Sequence, residues 1–584
     1  MIKLFGRDEY SLLGIAAMLD AEKIPYQRLA ELRVDGDQLL LVAAADLSDA
    51  ETSMLAQTPS IVFGGGPTFA ERAFHAVGAT MQTRAGVVSL DAPVWQSSTV
   101  RIARSFDKHV LRMPAVPTCA ADRFSRGTVL AWLSESRQPA IVRSGPLVWS
   151  TMDLGTGFAD LITERDAEGG ESSPMPCAPA WVRGAIEAAY YGAPERWRDW
   201  VQGRAYDRLA RRLQGRVYAA SEYPIDATGW LLIELVKALI KLTAGRLIRL
   251  ERWPAPYRSA ATLTHDLEPR RFAYTAGLGR LLDRVATTKH PAAFGIVARA
   301  GERYLSTTML PQLRAHTVMC HGLTHRGERV RGRTRVVRDL REARSRLEHQ
   351  LQRPVSGYRS PRLDRSADLM WALDQQGFRY DSSCPDVDRE NLHHYGSGVR
   401  LNLPFRPLLR DDSESYRLSR CLEMPLTAPD CIQPLFAGAT REELRATVAG
   451  KAAFVRETGG VYVALVHGGV FGTADAARRE DHLEFVHRQL SHPDVWLGGI
   501  EDIAEWWWAR NAVQVSIADG FVRVVNAGAR SVAGVRLVIE TLDDERVCSI
   551  PTLRPGGGVT IAASGLPEAI AIPRARATQR RASL

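Results

Sequence analysis

The segment Thr264-His265-Asp266-Leu267-Glu268-Pro269, taken with His321-Gly322-Leu323-Thr324-His325, decides how the rest of the chain is read. The first follows an apolar run, Ala260 to Leu263, and is cut off by Pro269, so it predicts a strand whose end carries two carboxylates. The second follows another strand-like run, Thr317-Val318-Met319-Cys320. Two imidazoles spaced i and i+4 share one side of a helical turn, where both reach one metal ion. A strand-end carboxylate adds a third ligand and leaves a position for water. The pattern predicts a catalytic metal site and a metal-dependent hydrolase.

Outward from these motifs, strand-like runs begin near Ala260, Ala292, Thr317, Val355, Arg379, Leu422 and Val461. Helical runs separate them: Phe272 to Thr287, Thr334 to Gln352, Ser366 to Gln376 and Arg441 to Glu457. This alternation predicts a parallel sheet over 256–510. Candidate site residues at strand C-terminal ends predict a (β/α) barrel.

Residues 1–165 read as an open α/β domain, with a helix from Tyr10 to Lys23. Its strands are expected at Gln38 to Ala45, Ser60 to Phe63, Thr128 to Leu133, Ala140 to Arg143 and Val148 to Met152. Gly64-Gly65-Gly66, before the helix-like Thr68 to Val77, lacks both the GxGxxG spacing and a Walker lysine, and reads as a tight turn. Residues 166–255 form a helical connector. In it, Gly229 to Leu250 reads as an amphipathic helix, too charged at Glu234, Lys237, Lys241 and Arg246 to span a bilayer. Residues 511–584 are expected to form a small β-sandwich with a basic tail, on the strength of alternation around Asp519-Gly520. Trp506-Trp507-Trp508 reads as packing between domains in preference to a sugar-stacking platform.

The chain of 584 residues is 45% apolar and 24% charged, which suits a globular protein of about three domains. A net charge of +9 without a basic-aromatic stripe argues against nucleic acid as a partner. Seven scattered cysteines without CxxC spacing argue against a disulfide framework or a thiolate metal site. The first residues carry no signal-like apolar core, so a cytoplasmic location is expected.

Five motifs in order, Thr264-His-Asp-Leu-Glu268, His321-Gly-Leu-Thr-His325, Arg359-Ser-Pro361, Tyr380-Asp-Ser-Ser-Cys384 and Leu465-Val-His467, resemble the polysaccharide deacetylase family, carbohydrate esterase family 4. The resemblance covers somewhat under half of the chain. It implies a distorted (β/α) barrel and removal of acetyl groups from sugars with one divalent metal, zinc by first choice. It implies Asp266 as general base, Arg359 holding that base ionised, His467 as general acid, and His321 and His325 as metal ligands. Tyr380 and Asp381 are expected in the substrate wall, with Asp381 orienting His467 or Arg359. The first domain loosely resembles glutamine-amidotransferase-like or flavodoxin-like folds. It has no cysteine nucleophile elbow, so amidotransferase activity is not carried over, and it is expected to do no chemistry.

One departure matters. The family's first motif has two adjacent aspartates, whereas here Leu267 holds the second slot and Glu268 follows. Glu268 is the first choice for the carboxylate ligand, and Asp266 is the other. The expected substrate is an N-acetylated amino sugar, nucleotide- or lipid-linked intermediates included. Hydrolysis of a non-sugar C–N bond and an inactive binding module on the same barrel are the alternatives.

Overall fold

The computed structural model describes residues 2–34, 38–43, 47–74, 80–88, 111–118, 127–132, 139–163, 228–269, 271, 273–325, 332–385, 401–411, 414–428, 441–467 and 476–562. At its centre is a curled parallel sheet. Its strands in chain order are β1 (Ser259–Leu267), β2 (Ala292–Ile296), β3 (Thr317–Cys320), β4 (Gly357–Tyr358), β5 (Tyr380–Asp381), β6 (Leu422–Glu423), β7 (Val461–Leu465) and β8 (Val495–Leu497). Their order in space is β6-β5-β4-β3-β2-β1-β7, with β8 also on β1, and every pairing is parallel. The two ends meet beyond β6, where Ala428 bridges Ala464 and the Leu465 amide donates to the Ala428 carbonyl. The seven expected strands are all present. The eighth, β8, is short and escaped the sequence reading.

Alternation along these strands builds two cores. Ala260, Ala293, Met319, Tyr380, Leu422, Val461, Val463 and Leu465 share the inner cluster. Ala261, Leu263, Leu267, Phe294, Cys320, Tyr358 and Tyr462 face outward into the helical layer. Ile500, Ile503, Ala504 and Trp507, from the helix Ile500–Asn511, complete the inner cluster at the N-terminal ends of the strands. The tryptophan run belongs to that end. Trp507 packs on Trp253 at 5.3 Å, and the Trp506 and Trp508 indoles donate to the carbonyls of Arg252 and Arg379.

The N-terminal sheet runs, in space, Tyr26–Arg28, Ile2–Gly6, Leu39–Ala43, Ser60–Phe63 and Leu147–Ser150, all parallel, then Pro139–Ser144 and Thr128–Trp132, antiparallel. Ile2–Gly6 lies between two partners, although its sequence was read only for the absence of an export signal. The helix Glu9–Glu22 starts on Asp8, whose carboxylate accepts from the Tyr10 and Ser11 amides.

The connector departs from expectation. Gly245, at φ 73°, ends the helix Thr228–Ala244, and Leu247–Leu250 then runs as a strand antiparallel to Arg536–Glu540. The helix is buried nearly all round rather than amphipathic. Its charges are buried in pairs: Lys237 with Glu234 at 3.1 Å and Lys241 with Glu540 at 3.1 Å. Glu22 of the N-terminal unit joins them, accepting from Arg252 Nε at 2.7 Å and lying 3.8 Å from Lys237. The remainder of the connector, 164–227, and the basic tail lie outside the described residues. Two three-stranded antiparallel sheets share one apolar cluster, drawing one strand from before the barrel and the rest from after it. One holds Leu247–Leu250, Arg536–Glu540 and Glu545–Ser549; the other holds Val513–Ala518, Phe521–Asn526 and Gly558–Ala562.

Candidate active site

The site sits where β1, β3, β4 and β7 end. The nine residues of β1 are all buried, which fixes its alternation firmly: Thr264 and Asp266 point inward, His265 and Leu267 outward. Leu267 therefore occupies the outer core, and Glu268 returns to the side of Asp266. The interposed leucine moves the second carboxylate one step up the strand and leaves it on the site side. His265 donates through Nδ1 to the Val466 carbonyl, 3.0 Å away, packs on Phe294, and lines a cavity behind β1 with His290 and His487.

His321 and His325 do not lie on a helical turn. They occupy an irregular loop, and His325 takes the left-handed conformation at φ 57°. That conformation is uncommon for a non-glycine residue and is held here by its surroundings. The Ala298 and Arg299 amides donate to the carbonyls of Gly322 and Leu323, and the two imidazole rings come within 5.0 Å. His321 Nδ1 lies 2.9 Å from the Arg359 carbonyl. A carbonyl can only accept, so Nδ1 carries the proton and the Nε2 lone pair is left over.

Four pairs define the geometry. His321 Nε2 lies 3.9 Å from Asp266 Oδ2, and Arg359 NH1 lies 3.5 Å from Asp266 Oδ1. His325 Nε2 lies 3.4 Å from Glu268 Oε2, and His467 Nε2 lies 3.6 Å from Glu268 Oε1. The Asp266, His321 and His325 side chains are 3%, 2% and 4% exposed, whereas His467 is 25% and Glu268 31% exposed, so the site opens to solvent on the Glu268–His467 side.

Arg359 is fully buried and held from three directions. It donates through Nε to the Ser382 carbonyl (2.8 Å), through NH2 to Ser382 Oγ (2.8 Å) and through NH1 to Thr264 Oγ1 (2.6 Å). Burial pushes the Asp266 carboxyl up. The facing His321, Arg359, His467 and His325 outweigh that and hold it below the ordinary aspartate range. Burial pushes His325 down to about 4, so at neutral pH it is an uncharged imidazole.

The donor chemistry fits a divalent metal. His321 Nε2 is buried and makes no hydrogen bond among the described residues, an arrangement that costs free energy unless something else meets the lone pair. Donors of a tetrahedral zinc site stand about 3.3 Å apart when its bonds are about 2.0–2.1 Å, and the 3.4 Å between His325 and Glu268 is close to that. The donors stand in facing pairs. Among the described residues no group of three or more is drawn together closely enough to hold an ion as it stands.

Tyr380 and Asp381 are placed apart from these residues. Tyr380 fills the inner cluster below Arg359, 1% exposed, and burial raises its phenol well above the usual range. Asp381 faces outward, where its Oδ1 accepts from the Ser382 amide (2.8 Å) and Ser383 Oγ (2.6 Å). Neither residue reaches the Asp266 side, and Asp381 orients neither His467 nor Arg359 by direct contact.

Three contributors went unread in the sequence. Thr264 and Ser382 hold Arg359, and their motif positions could have suggested it. Gly295, on β2, lies directly beneath Asp266: a Cβ there would fall 2.4 Å from Asp266 Oδ1. No local signal distinguishes that glycine from a packing one.

No family model matches the chain, and no curated protein matches it. Solved structures with detectable likeness include a candidate polysaccharide deacetylase from Mycobacterium smegmatis, at 18% identity over 46% of this chain and 96% of that one, TM-score 0.35. PuuE allantoinase is similar at 15% identity over 44% and 93%, TM-score 0.35. Agd3, a carbohydrate deacetylase, is similar at 12% identity over 97% and 98%, TM-score 0.36. At these identities and scores the matches carry no argument, and the functional reading below rests on the residues. Among the described residues no helix is long and apolar enough to cross a membrane.

Proposed function

We propose that the chain is a metal-dependent hydrolase that removes the acetyl group from an N-acetylated amino sugar. The observation that carries this is the ionised Asp266, set between Arg359 and His321 at 3.5 and 3.9 Å, with Glu268 between His325 and His467. His321, His325 and Glu268 would hold one divalent ion, zinc by first choice, with Asp266 the other candidate carboxylate. When bound, that ion supplies a Lewis acid for the acetyl carbonyl and a lowered pKa for attacking water.

The chain's own groups supply the remaining chemistry. Asp266 is kept deprotonated in a nearly dry site, as a base must be to receive a proton at neutral pH. Arg359 balances the charge of Asp266 before the proton arrives. His467 stands at the solvent side, where a leaving amine would depart, and donates the proton that amine needs. Glu268 Oε1 faces that imidazole at 3.6 Å. The sugar assignment rests on the motif resemblance.

The deciding experiment measures bound metal and acetate release from a panel of N-acetyl sugars, alongside non-sugar amides and ureides. Metal-dependent acetate release supports the reading. Turnover confined to non-sugar C–N bonds replaces the substrate class, and a metal-free, inert protein overturns the proposal.

A further inference from the structure

The segment that grips Arg359 is itself gripped from outside the barrel. Asp381 on β5 and Glu423 on β6 are register partners on adjacent parallel strands, so their side chains lie side by side on the outer face. Both are buried, at 1% and 0% exposure. Asp381 Oδ1 receives the Ser382 amide and Ser383 hydroxyl, and Glu423 Oε1 receives the Cys384 amide at 2.9 Å. One oxygen on each carboxyl, Asp381 Oδ2 and Glu423 Oε2, is reached by no N–H or O–H group among the described residues. Two carboxylates in that position would repel and leave two acceptors unsatisfied. A single proton between them removes both costs.

What the pair holds leads straight to the base. Ser382 and Ser383 connect it to the 358–360 turn: the Ser360 amide donates to Ser383 Oγ (2.8 Å), the Ser382 amide to the Tyr358 carbonyl (3.0 Å), and Arg359 to Ser382 twice. We propose that Asp381 and Glu423 share one proton, with Glu423 as the donor, and that this pair is a positioning device that sets Arg359 against Asp266 through Ser382 and Ser383. Building on the hydrolase reading, Asp381 and Glu423 are positioning residues, and neither touches substrate.

The surroundings agree. Burial raises both carboxyls, Asp381 to about 6 and Glu423 well above the ordinary glutamate range, and for Glu423 the neighbouring Asp381 adds to it. The charged groups facing the pair are Arg359 toward Asp381 and Arg365 toward Glu423, each opposing that rise. Cys421, beside β6, is held as an uncharged thiol by burial and then by these carboxylates, with Asp374 and Arg379 beyond it. Loss of the shared proton at alkaline pH puts a second negative charge in the pair and loosens the Ser382–Ser383 grip.

The test uses the full-length protein with Glu423→Gln and Glu423→Leu. The amide of Gln donates to Asp381 and still accepts from Cys384, but has no proton to lose; Leu does neither. The kcat/KM for acetate release is followed from pH 5 to 10. The wild type should show an alkaline fall that moves up by about one pH unit or more in Glu423→Gln, whose plateau stays within about threefold. Glu423→Leu should lose about tenfold or more, mainly in kcat. An alkaline limb unmoved by Gln, or a Leu variant that matches wild type, overturns the proposal. If no substrate is turned over, the hydrolase reading fails separately, and two activity-free measurements decide. A group with a raised folded pKa loses its stabilisation as pH climbs from about 4.3, its unfolded value, through the folded value. The wild type should therefore lose stability over that window relative to Glu423→Gln. A crystal structure of Glu423→Leu should show Arg359 withdrawn from Asp266. Parallel stability curves, or Arg359 unmoved, would sink the device.

Discussion

The guanidinium of Arg359 faces the carboxylate of Asp266 across 3.5 Å, an ion pair without a direct hydrogen bond. Its three short donations go instead to Thr264 and Ser382. Arg359 therefore acts on Asp266 as a fixed charge, leaving the carboxylate oxygens available to a reacting proton. Replacing it with Gln removes that charge from a buried site, where burial already pushes the carboxyl upward. Arg359→Gln should lower kcat by about 10²–10³-fold and shift the acid limb of the pH–rate profile upward, because Asp266 then protonates at higher pH. An acid limb at the wild-type position would rule out this electrostatic role.

His321 and His325 are expected to be required for metal. His325→Ala should abolish both bound metal and turnover, and elemental analysis of the purified variant checks the first directly. Stoichiometric metal retained by the His321→Ala/His325→Ala double variant would place the ion elsewhere.

His467 is the exposed imidazole of the site and faces Glu268 at 3.6 Å. A sugar amine leaves poorly without a proton, and an activated phenol leaves readily. His467→Asn should keep the metal and lose about 10²–10⁴-fold on an N-acetyl substrate, with a much smaller loss on an aryl acetate. Equal losses on both would assign His467 to positioning.

Glu22 makes a stability prediction. It is fully buried, and although burial alone would raise its pKa, Arg252, Lys237, Arg249 and Arg510 hold it down to about 2. A depressed carboxyl contributes stability above its unfolded pKa of about 4.3, and that contribution is lost as pH falls from there through about 2. Glu22→Gln leaves buried cations short of a partner and should cost about 3–5 kcal/mol at pH 7. Denaturant melts should show the gap between wild type and variant closing as pH drops through that window; a constant gap would contradict the electrostatic account. The same network bears on truncation. Starting the chain at residue 245 removes Glu22, Glu234 and Lys237 together, so such a fragment should fold poorly before any question of chemistry arises.

The barrel was legible because its long strands carry their own signal. Ser259–Leu267 and Val461–Leu465 are continuous buried runs; Glu268 follows the first directly, and His467 follows the second after Val466. Asp266, Glu268, His321, His325, Arg359 and His467 were picked out by motif order, and the fold brings them to one end of the sheet. The helical turn expected for the histidine pair was wrong: spacing fixes which residues meet, and the backbone between them found another route. Tyr380 and Asp381 were placed in the substrate wall by the family resemblance, and β5, only two residues long, shows no alternation of its own to correct it. Its facing is set by pairing to Gly357–Tyr358 and Leu422–Glu423, far away in sequence. Leu247–Leu250 was hidden likewise, since its partner lies at 536–540 and Lys237 and Lys241 look like a solvated face until Glu234 and Glu540 are placed beside them.

The pairing of Leu247–Leu250 with Arg536–Glu540 also orders events at the ribosome. The chain enters the barrel from a strand whose partner is synthesised only after the whole barrel, and Arg510, at the barrel's last helix, donates to the Leu250 and Glu251 carbonyls at its beginning. The barrel is thus a loop whose ends are tied to each other before they are tied to the small sheets. Until its final stretch emerges a growing chain lacks Glu540, the carboxylate that pairs with Lys241 at 3.1 Å and joins Glu22 around Arg249 and Lys237. Chains ending short of residue 536 should therefore carry a complete set of site residues on a body that chaperones and proteases still read as unfinished.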